Sequence, residues 1–190
     1  MASEDDKQPL RLRMRHVLAS EKCAYIRFVL GPIHIQQFMY NYIAQAILDD
    51  VVHLVIGDPS RGQAYDHRND TIYFYSLDPS DDAIVHESTH AVIDATNPGL
   101  EISTALGEAA AYLAEAIFAI NDSRFGTIDD PKLMRAAHKV ALRVNDYNNS
   151  NPGRIYHVSP QEIVNMQIWM DGNKQDLDKM WTMNGLSKYQ

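Results

Sequence analysis

The chain has 190 residues, of which 45% are hydrophobic and 22% charged, which is typical of a globular protein with one buried core. Its net charge of −8 argues against binding to a phosphate backbone, so we expect no nucleic-acid partner, and its single cysteine excludes an internal disulfide and a thiolate metal site. The acidic N-terminus lacks the apolar core of a signal peptide, and no apolar run approaches the ~18 residues of a membrane span. We therefore expect no membrane partner and a cytoplasmic location by default, or export by a signal-independent route.

The spacing of apolar, turn and capping residues predicts the elements in chain order. Residues 1–9 are expected to form a flexible tail and residues 10–190 a single domain. Two helices, two strands separated by a polar loop, and four further helices are expected to follow. Their approximate positions are 10–30 and 33–47 for the first helices, 51–56 and 71–75 for the strands, and 81–96, 103–120, 131–145 and 159 onwards for the later helices. This succession predicts an α+β fold that is mainly helical, with a small sheet packed on the helix at 81–96.

The most informative segment has the pattern H-E-x-x-H, with His86, Glu87 and His90 at its defined positions. Residues four apart lie on one face of a helix, so the two imidazoles can bind a single Zn²⁺ ion. The carboxylate of Glu87 can then act as a base on a metal-bound water. The apolar residues of this helix lie on the opposite face, which can therefore be buried in the core.

A third metal ligand is expected on the helix that follows. Glu108 lies 18 positions beyond His90, after an Asn-Pro-Gly turn that is long enough to reverse the chain. Two antiparallel helices would return Glu108 towards the imidazoles, and the alanines at 109–111 would allow the helices to approach closely. Glu115 lies on the same helix face two turns later and is the alternative third ligand.

Two segments resemble a known family. His86–Asp94, H-E-S-T-H-A-V-I-D, resembles the active-site helix of thermolysin-type metallopeptidases, the gluzincin group of the zincins. Residues 107–112, G-E-A-A-A-Y, resemble the segment that carries the glutamate ligand of that group. The resemblance covers about 30 residues and implies a zincin-like fold, with Zn²⁺ bound by both histidines and Glu108 and with Glu87 as base and proton shuttle.

The chain departs from this family pattern beside the glutamate ligand. The family has an aspartate four residues after that ligand, where it orients a ligand imidazole, whereas this chain has Tyr112. A phenol accepts a hydrogen bond from an imidazole more weakly than a carboxylate does, so a metal affinity lower by about 10–100-fold is expected. Asp94, one turn beyond His90, is a second candidate for an orienting role.

Two further parts of a peptidase site have candidates in the sequence. Tyr156 and His157 follow an asparagine-rich loop and are candidate donors to the oxyanion, because tyrosine and histidine are common donors at such sites. By resemblance to the zincins, the substrate backbone is expected to bind along a sheet edge, at either 51–56 or 71–75.

These features predict a zinc-dependent hydrolase that cleaves peptide or other amide bonds in a narrow range of protein substrates, because the short chain leaves little material for a deep cleft. Such minimal zincins resemble the catalytic modules of secreted bacterial effector and toxin proteases, an analogy that adds an inhibitor or immunity-type protein as a partner. The alternative is a zincin-like metal-binding or interaction domain with weak or no catalysis. A third hypothesis is a helical interaction domain in which the motif is coincidental.

Overall fold

A computed structural model of the protein describes residues 3–58, 62–122, 133–171 and 179–186. Within these ranges the fold is α+β and mainly helical, with short strands in three small sheets, which confirms the predicted class at that level. In the described part of the chain, no helix has the length and apolar content needed to cross a bilayer. The α-helices are α1 (Glu4–Leu18), α2 (Gln37–Leu48), α3 (Asp81–Thr96), α4 (Thr104–Asn121), α5 (Leu133–Ser150) and α6 (Pro160–Asp171).

The strands are short and distributed over the whole chain. They are β1 (Phe28–Leu30), β2 (Ile33–Ile35), β3 (His53–Ile56), β4 (Ala64–Asp66), β5 (Thr71–Phe74), β6 (Glu101–Ser103), β7 (Tyr156–Val158) and β8 (Met180–Thr182). In the first sheet β1 pairs antiparallel with β2 and parallel with β7, and in the second β5 pairs parallel with β3 and antiparallel with β4. The third sheet joins β6 and β8, so the end of the described chain packs beside the connection between α3 and α4.

Helices α3 and α4 pack against each other and run antiparallel. Gly107, near the start of α4, lies beside the imidazole of His90, whereas Glu115, two turns later, lies beside His86. The alanines at 109–111 are fully buried, which is consistent with the close helix approach expected from their size. The predicted reversal of the chain between these helices is therefore confirmed.

The apolar back of α3 is buried, as the helical projection predicts. Ile84, Val85, Ala91 and Val92 are each fully buried. A hydrogen bond of 2.7 Å between the hydroxyls of Tyr40 on α2 and Thr89 on α3 joins the two helices inside the core. Because this face of α3 is held by packing, the side chains on its other face have a fixed position.

The predicted N-terminal tail is wrong for most of its length, because α1 begins at Glu4. Ser3 and Asp6 form a capping box in which each side chain accepts a hydrogen bond from the other residue's backbone N–H. Acidic residues in the first turn add a favourable interaction with the helix dipole. The capping signal is present in the sequence and outweighs the polar composition of the segment.

The helices predicted at 10–30 and 33–47 are also wrong in part. Helix α1 ends at Leu18, a 3-10 helix spans Glu21–Tyr25, and β1 and β2 then form a hairpin. Gly31 and Pro32 are the two turn residues, and Gly31 has a φ of 57°, which favours glycine.

Two later predictions also differ from the structure. The polar loop predicted between the two strands contains β4, and α5 extends to Ser150, beyond the predicted end near residue 145. The predicted start of α5 at residue 131 lies outside the described residues.

Candidate metal centre

Local signals in the sequence position the H-E-x-x-H helix. The Ser80 side chain caps α3 by accepting a hydrogen bond from the backbone N–H of Ala83, and two aspartates occupy the first turn. The helix spans the predicted residues 81–96 and ends before Pro98. Residues 86–90 therefore lie in its interior, where the four-residue spacing brings both histidines to one face.

Three predicted ligands converge between α3 and α4. His86 Nε2 lies 3.6 Å from Glu108 Oε2, and His90 Nε2 lies 3.8 Å from Glu108 Oε1. The three donor atoms that these residues offer all lie within 4.8 Å of one another. Ligand atoms bound at about 2 Å to a common zinc ion are roughly 3–4 Å apart, so the cluster fits a single ion after small side-chain adjustments.

Glu115 binds the other nitrogen of the first imidazole. Its Oε2 atom lies 2.9 Å from His86 Nδ1. A carboxylate can only accept a hydrogen bond here, so Nδ1 carries the proton and Nε2 is directed to Glu108 and His90. A carboxylate that holds a ligand imidazole in this way fixes its tautomer and orientation, which is the role that the family pattern gives to an aspartate four residues after the glutamate ligand.

The electrostatic field of the cluster favours a cation. Burial alone would lower the pKa of His86, but its contacts with Glu108 and Glu115, together with the charge of Glu87, raise that pKa to about 10. His86 is therefore protonated near neutral pH when no other cation is present. The same carboxylates would stabilise a divalent metal ion, whose binding would displace that proton.

If the cluster holds a divalent metal ion, replacing Glu115 by glutamine is expected to lower its metal affinity by about 10–100-fold, because the amide is a weaker and uncharged partner for His86 Nδ1. Competition with a chromophoric chelator would measure the dissociation constant. The exposed Glu101, on β6, offers a matched control, and Glu101→Gln should leave the affinity unchanged. An affinity equal to that of the parent in Glu115→Gln would show that Glu115 has no orienting role.

The cluster lies at the base of an open cleft of about 370 Å³. Helices α3 and α4 contribute the three clustered residues together with Glu87 and Glu115. Ala64 and Tyr65 of β4 and the aromatic rings of Tyr75, Tyr112 and Trp181 also line the cleft. Glu87 is 6% exposed and reaches the cleft beside the ligand cluster, where a base on a substrate or water molecule would have to lie.

Known proteins offer no guide to this site. No family model, curated protein or solved structure matches this chain. What the site can do chemically is therefore inferred from its donor set, its burial and its access to solvent.

Tyr112 contacts the first histidine through its ring. The two rings are 4.6 Å apart between centroids and nearly perpendicular, at 73°. Tyr112, at the position where the gluzincin pattern that the sequence resembles has an aspartate, therefore packs against the imidazole of His86. Glu115, three residues further along α4, provides the carboxylate.

Asp94 lies in the same helix as the histidines but has a different set of partners. It is fully buried, accepts a hydrogen bond of 2.9 Å from the Tyr65 hydroxyl, and accepts two more from the backbone N–H groups of Asn184 and Gly185. Burial raises the pKa of Asp94, and these three hydrogen bonds offset part of the increase. Asp94 therefore joins α3 to β4 and to the C-terminal segment, and none of these three hydrogen bonds comes from an imidazole.

The two predicted oxyanion donors lie elsewhere. Tyr156 and His157 are in β7, paired with β1, and neither is among the described residues that line the cleft. The Tyr156 hydroxyl donates to Glu162 on α6, and His157 is exposed. The structure does not bring either residue to the metal cluster.

Sequence reasoning missed the far side of the cleft. The strand that lines the cleft beside α3 is β4, an edge of its sheet. Of the two predicted candidates, the segment at 51–56 forms the opposite edge of that sheet and does not line the cleft, and the segment at 71–75 forms its central strand. Trp181 was also missed, although its ring centroid lies 6.2 Å from that of His90. The alternation at 64–66 was the available signal for β4, and no local signal links Trp181 to His90.

Proposed function

We propose that the protein is a zinc-dependent hydrolase of peptide bonds with a zincin-like fold. The observation that carries the proposal is the convergence of His86, His90 and Glu108 at the base of an open cleft that Glu87 also lines. If the H-E-x-x-H sequence were a coincidence, there would be no reason for a carboxylate from another helix to lie close to both imidazoles. Nor would there be a reason for Glu115 to bind the remaining nitrogen of His86.

The donor set favours zinc. Two imidazoles and one carboxylate are a common zinc ligand set, whereas Mg²⁺ and Ca²⁺ prefer oxygen ligands throughout. Zinc held by three protein ligands supplies Lewis acidity and lowers the pKa of water to about 7. His86 and His90 contribute neutral donors in this state, and Glu115 keeps the His86 imidazole oriented through Nδ1.

Glu87 is the proton carrier in this proposal. Its carboxylate is largely buried and lines the cleft next to His86, but it is outside the three-residue cluster. A carboxylate in that position accepts a proton from the attacking water and returns it to the leaving nitrogen of the cleaved amide.

Strand β4 supports an extended peptide as the substrate. It occupies an edge of its sheet, runs antiparallel to β5, and lines the cleft beside α3. Backbone N–H and C=O groups on a sheet edge can pair with an extended chain, which would place a substrate amide alongside the cluster. This arrangement favours a peptide over a small amide substrate.

Metal content tests the proposal directly. Elemental analysis of protein purified without a metal-binding tag should find about one zinc per chain, and Glu108→Ala should lose it. Glu101→Ala removes an exposed carboxylate from β6 and should retain the metal. Zinc retained by Glu108→Ala would place the third ligand elsewhere. Absence of zinc from the parent after incubation with the metal would contradict the proposal.

Hydrolysis is tested separately. Zinc-loaded protein should cleave members of a diverse peptide mixture, with the new termini identified by mass spectrometry. Stoichiometric zinc without cleavage of any peptide would favour the catalytically inactive zincin-like binding domain over the hydrolase.

A further inference from the structure

One wall of the cleft is an aromatic ring carried by the C-terminal strand. Trp181 lies in β8, lines the cleft and packs in a stacked arrangement against His67, with ring centroids 5.4 Å apart. Tyr75, which is 61% exposed, lines the same cleft. A substrate side chain entering the cleft therefore meets exposed aromatic surface close to the metal cluster.

The position of Trp181 is fixed by backbone contacts on both sides of it. Trp181 is paired with Ile102 of β6, and the preceding Lys179 accepts a hydrogen bond from the backbone N–H of Thr104. The segment after it is bound by Asp94, which accepts from two backbone N–H groups. Because its strand is held at both ends, Trp181 is a preorganised surface for recognition.

The cleft also carries excess negative charge. Three carboxylates line it, those of Glu87, Glu108 and Glu115, and no lysine or arginine is among its described lining residues. A divalent metal ion would offset two of these three charges and leave one negative charge. The net charge of −8 over the whole chain has the same sign. This field attracts a cationic segment and repels an acidic one.

We propose that the cleft selects polypeptide segments that carry lysine or arginine, with the cationic side chain lying against the Trp181 ring. A cation over the face of tryptophan is attracted by the ring quadrupole, and the nearby carboxylates add to that attraction. The proposal concerns the substrate class of the hydrolase proposed above. It is, however, a statement about binding, so it can be tested whether or not the bound segment is cleaved.

The test uses zinc-loaded protein and dye-labelled alanine-based peptides of equal length, whose central residue is lysine, leucine or glutamate. Uncleaved peptides are ranked by Kd from fluorescence anisotropy, and cleaved peptides by kcat/KM. The lysine peptide should be preferred over the leucine peptide by about 3- to 30-fold, and the glutamate peptide should rank last. Raising the salt concentration should reduce the preference, because screening weakens the charge contribution.

Variants of the ring separate its contribution from the general field. Trp181→Leu should reduce the lysine preference by about 2- to 5-fold and leave the part that comes from the carboxylates, whereas Trp181→Phe, which keeps a π face, should retain most of the preference. Circular dichroism and thermal unfolding would check that both variants fold. An equal loss of lysine preference in Trp181→Leu and Trp181→Phe would show that the face of the aromatic ring does not bind the cation.

The outcomes distinguish this inference from the proposed hydrolase. A lysine preference in binding without cleavage would support the inference and contradict the hydrolase. Cleavage of a peptide mixture with a preference for leucine or glutamate would support the hydrolase and contradict the inference. No binding and no cleavage of any peptide would overturn both.

Discussion

Replacing Glu87 by glutamine is expected to lower peptide turnover by about 10²–10⁴-fold while leaving one zinc bound per chain. The substitution preserves the size of the side chain but removes the carboxylate that, in the proposed mechanism, accepts and returns the proton. The zinc is retained because Glu87 is outside the cluster of His86, His90 and Glu108. Turnover of the best peptide from the cleavage screen and metal content would be measured on the same preparations.

The control must distinguish loss of the Glu87 carboxylate from loss of the bound metal ion. Glu101→Gln changes an exposed carboxylate in the same way and should leave both turnover and zinc content unchanged. Unchanged turnover in Glu87→Gln would remove Glu87 from the mechanism. Loss of zinc together with turnover would instead make Glu87 a group that stabilises the bound metal.

Helix α3, which carries the H-E-x-x-H segment, could be predicted because its signals are local. The cap at Ser80, the acidic first turn and the stop before Pro98 are adjacent in sequence to the helix that they define. The hairpin of β1 and β2 shows the opposite case. The apolar residues Ile33 and Ile35 fit a helical period with those that follow, and only pairing with β1 makes them a strand.

The three candidate ligands could also be predicted from the sequence, but the carboxylate that orients the first imidazole could not. The spacing of His86 and His90, and a reversed helix carrying Glu108, follow from helix geometry alone. The choice between Glu108 and Glu115 depends on the rotation and height of α4 relative to α3, which packing decides. In the structure both face the cluster, one within the ligand group and the other at His86 Nδ1.

The opposite wall of the cleft depends on contacts between distant parts of the chain. Trp181 reaches the metal helix through pairing of β8 with β6 and through the hydrogen bonds that Asp94 accepts from the C-terminal segment. Segments this far apart in the sequence leave no periodic pattern from which their contact could be predicted. The sequence instead predicts an orienting role for Asp94, because this residue lies on the histidine face of the helix.

Replacing Asp94 by alanine is therefore expected to be strongly destabilising, lowering the free energy of unfolding by about 3–5 kcal/mol. The change removes the acceptor for the backbone N–H groups of Asn184 and Gly185 and the nearer of two acceptors for the Tyr65 hydroxyl, which also donates to Asp70 at 3.4 Å. Each buried donor left without a partner costs about 1–3 kcal/mol, and some would recover water if the C-terminal segment moved. Urea denaturation would measure the loss.

Asp94→Asn is the matched variant that distinguishes lost hydrogen bonds from lost charge. Burial raises the pKa of Asp94, so its charged form is costly there, and an amide oxygen can still accept from both backbone N–H groups. We expect Asp94→Asn to lose about 1 kcal/mol. In Asp94→Ala, the segment at 179–186 should also become more sensitive to limited proteolysis, and the proposed lysine preference of the cleft should fall because the strand of Trp181 is then held mainly by its pairing with β6. Equal stability of the two variants, with equal resistance to proteolysis, would show that Asp94 does not fix the C-terminal wall of the cleft.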